Sequence, residues 1–362
     1  HFRNFGKGFP PLEIERVQGL CILTGAVTPN VGYVARLPTV CHPKNGRITF
    51  TVIEHSKKGD LPVRVDITGD GKLYQSSTHA ALGDNKAYVA YSGITYVPRG
   101  GIKVKLAPGW RSRKTKTRRA QINRVGPLCM LSGRIYGNKW GVLGAIPEQC
   151  RPDRRIFFSA NNDKHPVRVD MAGIAANETV FASNENKGHK TPWLDLSGML
   201  WTRKGGKPIQ LETHWAPLGD GYRKPVVRKV GRIVMLSGVA HPAQSGGALS
   251  REIARLPASY APSEIQIFGT SHGRFLTRVE VHPDGSVIYE GDPSYLQSGD
   301  AHKGARWLNL DGIVYHISKR KSLKAPYNDK AKPVKKPVKI GEEHEEHEEH
   351  DEEHDEEHDE EH

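Results

Sequence analysis

The sequence predicts an all-β protein: three tandem homologous antiparallel β-sandwich repeats, then a low-complexity C-terminal tail. Three observations carry that expectation. Five sequence blocks recur three times in the same order. Glycine (38) and proline (24) are frequent in a chain of 362 residues, while long apolar runs of helical period are missing. The segments between turn signals alternate apolar and polar residues, as half-buried strands do.

The first block reads "RVQGLCILTGAV" (16–27), "RVGPLCMLSGRI" (124–135) and "KVGRIVMLSGVA" (229–240). Measured at Gly25, Gly133 and Gly238, the period is 108 and then 105 residues, which marks a repeat architecture. A proline-marked corner follows in each copy: "LPTVCHP", "IPEQCRP" and "LPASYAP". Next come the apolar-aromatic strands "ITFTV", "IFFSA" and "IQIFG", then "VRVDI", "VRVDM" and "TRVEV". "TGDGK" and "HPDGS" are turn signals between strands. Each copy closes on "YSGITYV", "LSGMLWT" or "LDGIVYH". The boundaries that follow are an N-terminal arm over 1–15 and repeats over 16–105, 124–212 and 229–318. Linkers fall at 106–123 (basic) and 213–228, a Lys/Pro-rich segment at 319–341 and a Glu/Asp/His tail at 342–362.

The four cysteines check the alignment independently. Cys21 and Cys129 stand four residues before the block glycine, and Cys41 and Cys150 two before the corner proline. In the third copy both positions change together, to Val234 and Tyr260. Paired loss is what a covalent link predicts, so the expected disulfides are Cys21–Cys41 and Cys129–Cys150. The alternative is four free buried thiols; a zinc cage is disfavoured because no Cys-x-x-Cys spacing occurs. Disulfides imply an oxidising, extracellular setting, and the tripeptide Asn177–Thr179 is a glycosylation sequon that fits it. The start at His1 reads as a mature, processed form.

Charge divides the chain. There are 53 Lys+Arg against 40 Asp+Glu, a formal charge of +13. Fifteen of those acids lie in 342–362, which leaves the rest of the chain at +28. Such asymmetry concerns partners rather than fold. Candidate anion-binding residues are Arg111, Arg113, Lys114, Lys116, Arg118 and Arg119 in the 106–123 linker. Lys319, Arg320, Lys321, Lys332, Lys335, Lys336 and Lys339 of the Pro-spaced lysine segment join them. That segment has little to bury and is expected to be extended. The tail histidines His344, His347, His350, His354, His358 and His362 fall three or four residues apart. On a helix they would share one face, and they are candidate ligands for Zn, Ni or Cu. Mild acid would protonate them and turn a polyanion toward a polyampholyte. The bland reading of the same tail is a solubilising low-complexity segment.

No catalytic constellation is present: no Gly-x-Ser-x-Gly elbow, phosphate loop or His-Glu-x-x-His motif occurs. The expectation is a protein that binds or builds rather than catalyses. No stretch approaches the roughly 20 apolar residues of a membrane helix.

Two resemblances sharpen this. The pattern V-x-L-x-G … LP-x-x-Y-x-P … RV-x-V … L-x-G-I-x-Y, clearest in 234–315, resembles the β-sandwich modules at receptor-binding ends of phage tail fibres. That resemblance implies fold; such modules meet as trimers, and three copies on one chain suggest a pseudo-threefold monomer. The basic, disulfide-bearing body with its His/acid tail resembles the matrix proteins of glass-sponge silica, including those of the axial filament. That resemblance implies a secreted scaffold that self-assembles into a filament or lattice and templates biosilica. Its partners would be other copies of itself, an anionic silica or other mineral surface, and further matrix proteins. Ammonium and guanidinium groups would concentrate condensing silicate, and neutral imidazole would accept silanol protons. The alternative is a carbohydrate- or receptor-binding module using Trp140, Trp193, Trp201 or Trp307 as sugar platforms. The alignment of Trp201 with Tyr96 and Tyr315 argues that it belongs to the core. Nucleic acid ranks third, disfavoured by the acidic tail.

Overall fold

The structure is a computed structural model. It describes residues 2–6, 8–81, 84–112, 116–137, 141–162, 166–171, 179–182, 193–243, 249–272, 275–291, 296, 307–317 and 323–324. The fold is all-β, with antiparallel sheets and two short 3-10 turns. Residues His1–Ala331 form one body.

The first block folds three times into the same hairpin. Glu13–Val17 pairs with Leu20–Thr24, Gln121–Val125 with Leu128–Ser132, and Val226–Val230 with Ile233–Ser237, each in the same register. The turn chemistry explains the tight reversals. Gln18 and Gly19 both have positive φ (49° and 88°), the requirement of a type I′ turn. Gly126 and Gly231 (φ 58° and 57°) open the other two loops as the first residue of type II′ turns. The second strand of each hairpin is buried throughout, because it has cores on both faces. Cys21 and Leu23, and their counterparts, face the sandwich of their own unit. Leu20 and Ile22 meet Leu128, Met130, Ile233 and Met235 in one apolar cluster shared by the three units. Val17, Val125 and Val230 pack against the same cluster.

The units are joined cyclically. Ile102–Lys103, which follows the first unit, pairs with the opening strand of the second. Lys207–Pro208 does the same from the second unit to the third. Leu323–Lys324 pairs with Glu13–Val17 and so returns the chain from the third unit to the first.

The corners behave alike too. Cys41, Cys150 and Tyr260 each donate a backbone N–H to the carbonyl of the first proline of the corner, Pro38, Pro147 and Pro257, at 2.8, 2.8 and 2.9 Å. Tyr96 Oη, Trp201 Nε1 and Tyr315 Oη donate in turn to the carbonyls of Cys41, Cys150 and Tyr260, at 2.5, 2.7 and 2.7 Å. Both expected disulfides are present, with Cα–Cα distances of 5.8 and 5.7 Å, and no free cysteine remains.

The segments read as linkers are structural. Lys105–Leu106 and Trp110–Arg111 form the two edges of the eight-stranded sheet of the second unit. Trp215–Pro217 pairs with Val239–Pro242 of the third unit. In the arm, Asn4 bridges Val27. The reason is local: Phe2, Trp110 and Trp215 occupy equivalent places and are all buried. The boundaries at 106–123 and 213–228 therefore cut through the units. The lysine segment beyond Lys324 and the 342–362 tail lie outside the described residues.

The block glycines cannot be replaced. Gly25, Gly133 and Gly238 have φ of 107°, 99° and 111°. A Cβ on them would lie 2.2, 2.2 and 2.4 Å from the carbonyl oxygens of Pro11, Arg119 and Lys224. Gly133→Ala is expected to lower unfolding free energy by about 2 kcal/mol or more, read as a fall in the urea midpoint. Opening Cys129–Cys150 by a double Cys→Ser change is expected to cost about 3 kcal/mol.

Candidate anion-binding surface and the seams behind it

The basic strip divides once placed in the fold. Arg111 and Lys116 are exposed and Arg119 is half-buried. Arg113 and Lys114 lie outside the described residues. Arg118 does not belong to a surface strip: it is 0 % exposed. Its Nη1 donates to the Val97 carbonyl at 2.7 Å, and its Nη2 donates to Lys44 and Pro98 carbonyls at 3.0 and 2.9 Å. Burial pushes this guanidinium down to about 10, with Tyr96 and Asp195 opposing. It stays charged at neutral pH, neutralised by carbonyl dipoles instead of a carboxylate.

Arg118 has a twin. Arg223, 3 % exposed, donates through Nη2 to Asp153 Oδ1 at 2.6 Å and to Thr202 and Arg203 carbonyls at 3.0 and 3.1 Å. Thr202 and Arg203 are the counterparts of Val97 and Pro98. Each arginine stands fifteen residues before a block glycine and latches the approach segment of one unit into the unit before it.

The exposed cations extend beyond the strip. From Arg99 to Arg124 the sequence holds ten bases and no acid. Arg99, Lys103, Lys105 and Arg124 are exposed, like Arg111 and Lys116. Three of them lie on edge strands, Lys103 beside the opening hairpin of the second unit and Lys105 and Arg111 on opposite margins of its large sheet. Edge lysines also deter strand-to-strand aggregation. Among the described residues none of these six forms an ion pair.

A different set of arginines holds the seams between units. Arg64 lies 5.3 Å from the ring centre of Trp193, Arg168 5.0 Å from Trp307 and Arg278 5.9 Å from Tyr88. In each case an arginine of one unit reaches the equivalent aromatic of the next, closing a cycle. Each is also paired with the acid two residues on: Asp66 at 3.0 Å, Asp170 at 2.6 Å, Glu280 at 3.6 Å. Desolvated cation–π contacts of this kind contribute about 1–2 kcal/mol each.

Of the candidate sugar platforms, Trp193 and Trp307 are half-buried and take part in these contacts. Trp193 is covered by Arg134 at 3.7 Å as well as by Arg64. Trp307 stands edge-on to Phe157 at 4.8 Å. Trp201 is 1 % exposed, as its alignment suggested. Trp140 lies outside the described residues.

A small cavity of about 80 Å³ sits where the units meet. Phe50, Phe158 and Phe268 border it, each facing a glycine of another unit: Gly198, Gly312 and Gly93. Ser92, Ser197 and Asp311 line its polar part; each accepts the N–H of a block glycine, at 3.2, 3.2 and 3.0 Å. Asp311 also accepts from Ser237 Oγ and from the Phe157 N–H at 3.2 Å, while burial raises its pKa. The space suits a few waters and is far below the roughly 300 Å³ of a ligand pocket.

Among the described residues no cluster of three or more His, Cys, Asp or Glu could hold a metal; the six tail histidines lie outside them. No described helix is long and apolar enough to cross a membrane. No family model, curated protein or solved structure matches the chain.

The seam that closes the ring carries a titratable cluster around His316. Glu15 of the first unit faces Arg232 and His316 of the third, with His316 Nδ1 3.1 Å from Glu15 Oε2. Burial lowers the His316 pKa; Glu15 opposes and Arg232 adds to the shift. Neutral imidazole is thus favoured in the fold. Stability is full above the ordinary histidine pKa of about 6.5 and is lost as pH falls below it toward the lowered folded value. His316→Gln is expected to flatten this part of the profile of urea midpoint against pH. Arg118→Met is expected to cost about 3 kcal/mol, because three buried carbonyls lose their donor. An unchanged midpoint would refute that account of the latch.

Proposed function

We propose that the chain is a secreted structural scaffold whose cationic edges gather an anionic mineral, with condensing silica as the substrate class. The observation that carries this reading is the run from Arg99 to Arg124. It has ten bases and no acid, with Arg99, Lys103, Lys105, Arg111, Lys116 and Arg124 exposed on a cross-linked β framework. Charges held at fixed spacing concentrate polyanions and screen their mutual repulsion without first ordering a flexible chain. The two disulfides are compatible with an extracellular place of work. Silica, rather than another polyanion, rests on the likeness of the body and tail to glass-sponge matrix proteins.

Self-assembly is the second part of the proposal. The fifteen carboxylates of 342–362 are complementary to the cationic edges of another copy, so that tails join molecules into a filament or lattice. The tail histidines make that contact sensitive to acid and to Zn, Ni or Cu. The covered faces of Trp193 and Trp307 weigh against the carbohydrate-binding alternative.

The test is silica precipitated from a silicic acid solution by the full chain, by a chain ending at Gly341, and by Lys103→Glu/Lys105→Glu/Arg111→Glu. The triple variant is expected to precipitate much less silica while keeping its urea midpoint. Light scattering of the shortened chain is expected to show no assembly at low salt, where the full chain assembles and added salt disperses it. Equal silica yield from all three proteins would remove the mineral reading. Specific binding on a glycan array would replace it with the carbohydrate one.

A further inference from the structure

The sequence holds a single Asn-Gly pair, Asn45–Gly46, and it sits in the turn that receives the first arginine latch. That turn is one residue longer than its counterparts. The second proline of the corner stands seven residues before the phenylalanine at the cavity in the first unit (Pro43, Phe50). It stands six before it in the other two (Pro152, Phe158; Pro262, Phe268). Asn45 and Gly46 both take positive φ, 71° and 110°. The latch strand dictates the glycine: a Cβ on Gly46 would lie 2.7 Å from the Lys116 carbonyl oxygen and 2.8 Å from the Arg118 nitrogen. Left-handed backbone favours asparagine at the place before it. The turn therefore asks for the dipeptide in which an asparagine side chain is least shielded from the next backbone nitrogen.

Asn45 is exposed and Gly46 half-buried. Among the described residues the Asn45 side chain and the Gly46 N–H take part in no hydrogen bond. Asn4 and Asn30 differ. Their Oδ1 atoms accept the backbone N–H groups of Leu12 and Val31, at 3.0 and 2.8 Å, and neither precedes a glycine. On either side of the pair the chain is pinned. The Lys44 N–H donates to the Pro98 carbonyl at 2.7 Å, and the Lys44 carbonyl accepts from Arg118 Nη2 at 3.0 Å. The Arg47 N–H donates to the Lys116 carbonyl at 2.8 Å, and the Arg47 carbonyl accepts the Arg118 N–H at 2.9 Å.

We propose that Asn45 is a self-modification site, converting to aspartyl and isoaspartyl forms that act on the Arg118 latch. The Gly46 nitrogen attacks Asn45 Cγ and gives up its proton; Nδ2 leaves as ammonia, and a succinimide ring closes. One water then opens the ring. Attack at Cγ leaves an aspartate. Attack at the backbone carbonyl leaves an isoaspartate, with the main chain running through the side chain. Either product puts a carboxylate between the pinned residues Lys44 and Arg47, in a turn that now has only cations at its margins. The aspartyl form brings to the first latch the kind of group the second already has, where Asp153 Oδ1 accepts from Arg223 Nη2 at 2.6 Å. The isoaspartyl form adds a carbon to the main chain between the two pinned points and so loosens the hold on Arg118. This inference is independent of the silica reading.

The test is peptide mapping of the full chain aged in mildly alkaline buffer, beside Asn45→Gln and Asn45→Asp. Glutamine would have to close a larger, less favourable ring, and Gln18 (φ 49°) shows that this chain accepts glutamine at positive φ. The expected result is an amide-to-acid mass gain in the peptide holding residues 45 and 46, faster at higher pH. Part of it is expected to accept methyl groups from an isoaspartyl methyltransferase. Asn4 and Asn30 are expected to gain severalfold less, and Asn45→Gln nothing at that place. The aged chain is expected to show a lowered urea midpoint. Aged Asn45→Gln is expected to keep its own, and Asn45→Asp to stay level with the unaged chain. Intact Cys21–Cys41 and Cys129–Cys150 peptides report that each sample has folded. No gain at Asn45 in the folded chain overturns the proposal, whether or not the urea-unfolded chain gains it. Equal gain at Asn4 and Asn30 also overturns it, since that is unselective ageing. Isoaspartate at Asn45 with an unchanged midpoint overturns its action on the latch.

Discussion

Everything in this fold depends on each unit being finished by its neighbour. The opening hairpin of a unit is a pair of strands with apolar residues on both faces, and a two-faced strand needs cover on both sides. Its own sandwich covers one side. The other is covered only where Leu20, Ile22, Leu128, Met130, Ile233 and Met235 come together. A head-to-tail contact whose rotation closes makes a ring instead of an open filament. Here the closure is visible in the backbone, where Ile102–Lys103, Lys207–Pro208 and Leu323–Lys324 pair in turn with the second, third and first units. No unit has a complete core by itself, so the body is one cooperative structure rather than three beads.

Within that shared frame the three seams differ in chemistry. Between the first and second units the contact is polar: the Arg134 guanidinium donates to Thr49 Oγ1 at 2.9 Å, and Asn161 Nδ2 to Thr51 Oγ1 at 2.9 Å. Between the second and third, Asn309 Nδ2 donates to the Phe157 carbonyl at 2.8 Å, beside the buried Asp311. Between the third and first, Ile53, Tyr88, Ile267 and Leu276 pack under Phe5 and Phe9 of the N-terminal arm, beside hydrogen bonds from Ser92 Oγ to Gln266 Oε1 at 3.1 Å and from the Arg278 guanidinium to Tyr88 Oη. Directional hydrogen bonds cross all three seams. The third joins segments far apart in sequence, and there apolar burial and the Glu15 cluster add to them. The third unit also lacks a disulfide; Val234 and Tyr260 pack in its core where cysteines stand in the others.

The sequence showed the strands and corners well, because glycines with positive φ and paired cysteines impose constraints that survive in the residue types themselves. It showed the linkers badly. "WRSRKTKTRRA" reads as solvated because six of its side chains are cationic. Yet Trp110 anchors one end in a core, and an edge strand tolerates charge on its open side. Arg118 reads as part of the surface strip for the same reason, although it is buried. Composition cannot separate a buried guanidinium from its exposed neighbours, because carbonyl acceptors leave no signature in sequence. One signal was present: Arg118 and Arg223 recur at the same offset from a block glycine, and a solvated charge has no reason to keep an offset. Arg64, Arg168 and Arg278 keep no such offset but recur at the second position of VRVDI, VRVDM and TRVEV, and they too hold seams.

That division changes how the charge of the chain should be counted. A formal surplus describes what an anion would meet only if the cations are free to meet it. Arg118 and Arg223 are spent on carbonyls inside the fold, and Arg64, Arg168 and Arg278 on aromatic faces and nearby acids. The cations left to a partner include those on edge strands, Lys103, Lys105 and Arg111, within the acid-free run from Arg99 to Arg124. On an edge strand fixed charge costs little desolvation and also blocks unwanted pairing. The edge charge that keeps the sheets from aggregating through their backbones is therefore the same charge that stays exposed at the sheet margins.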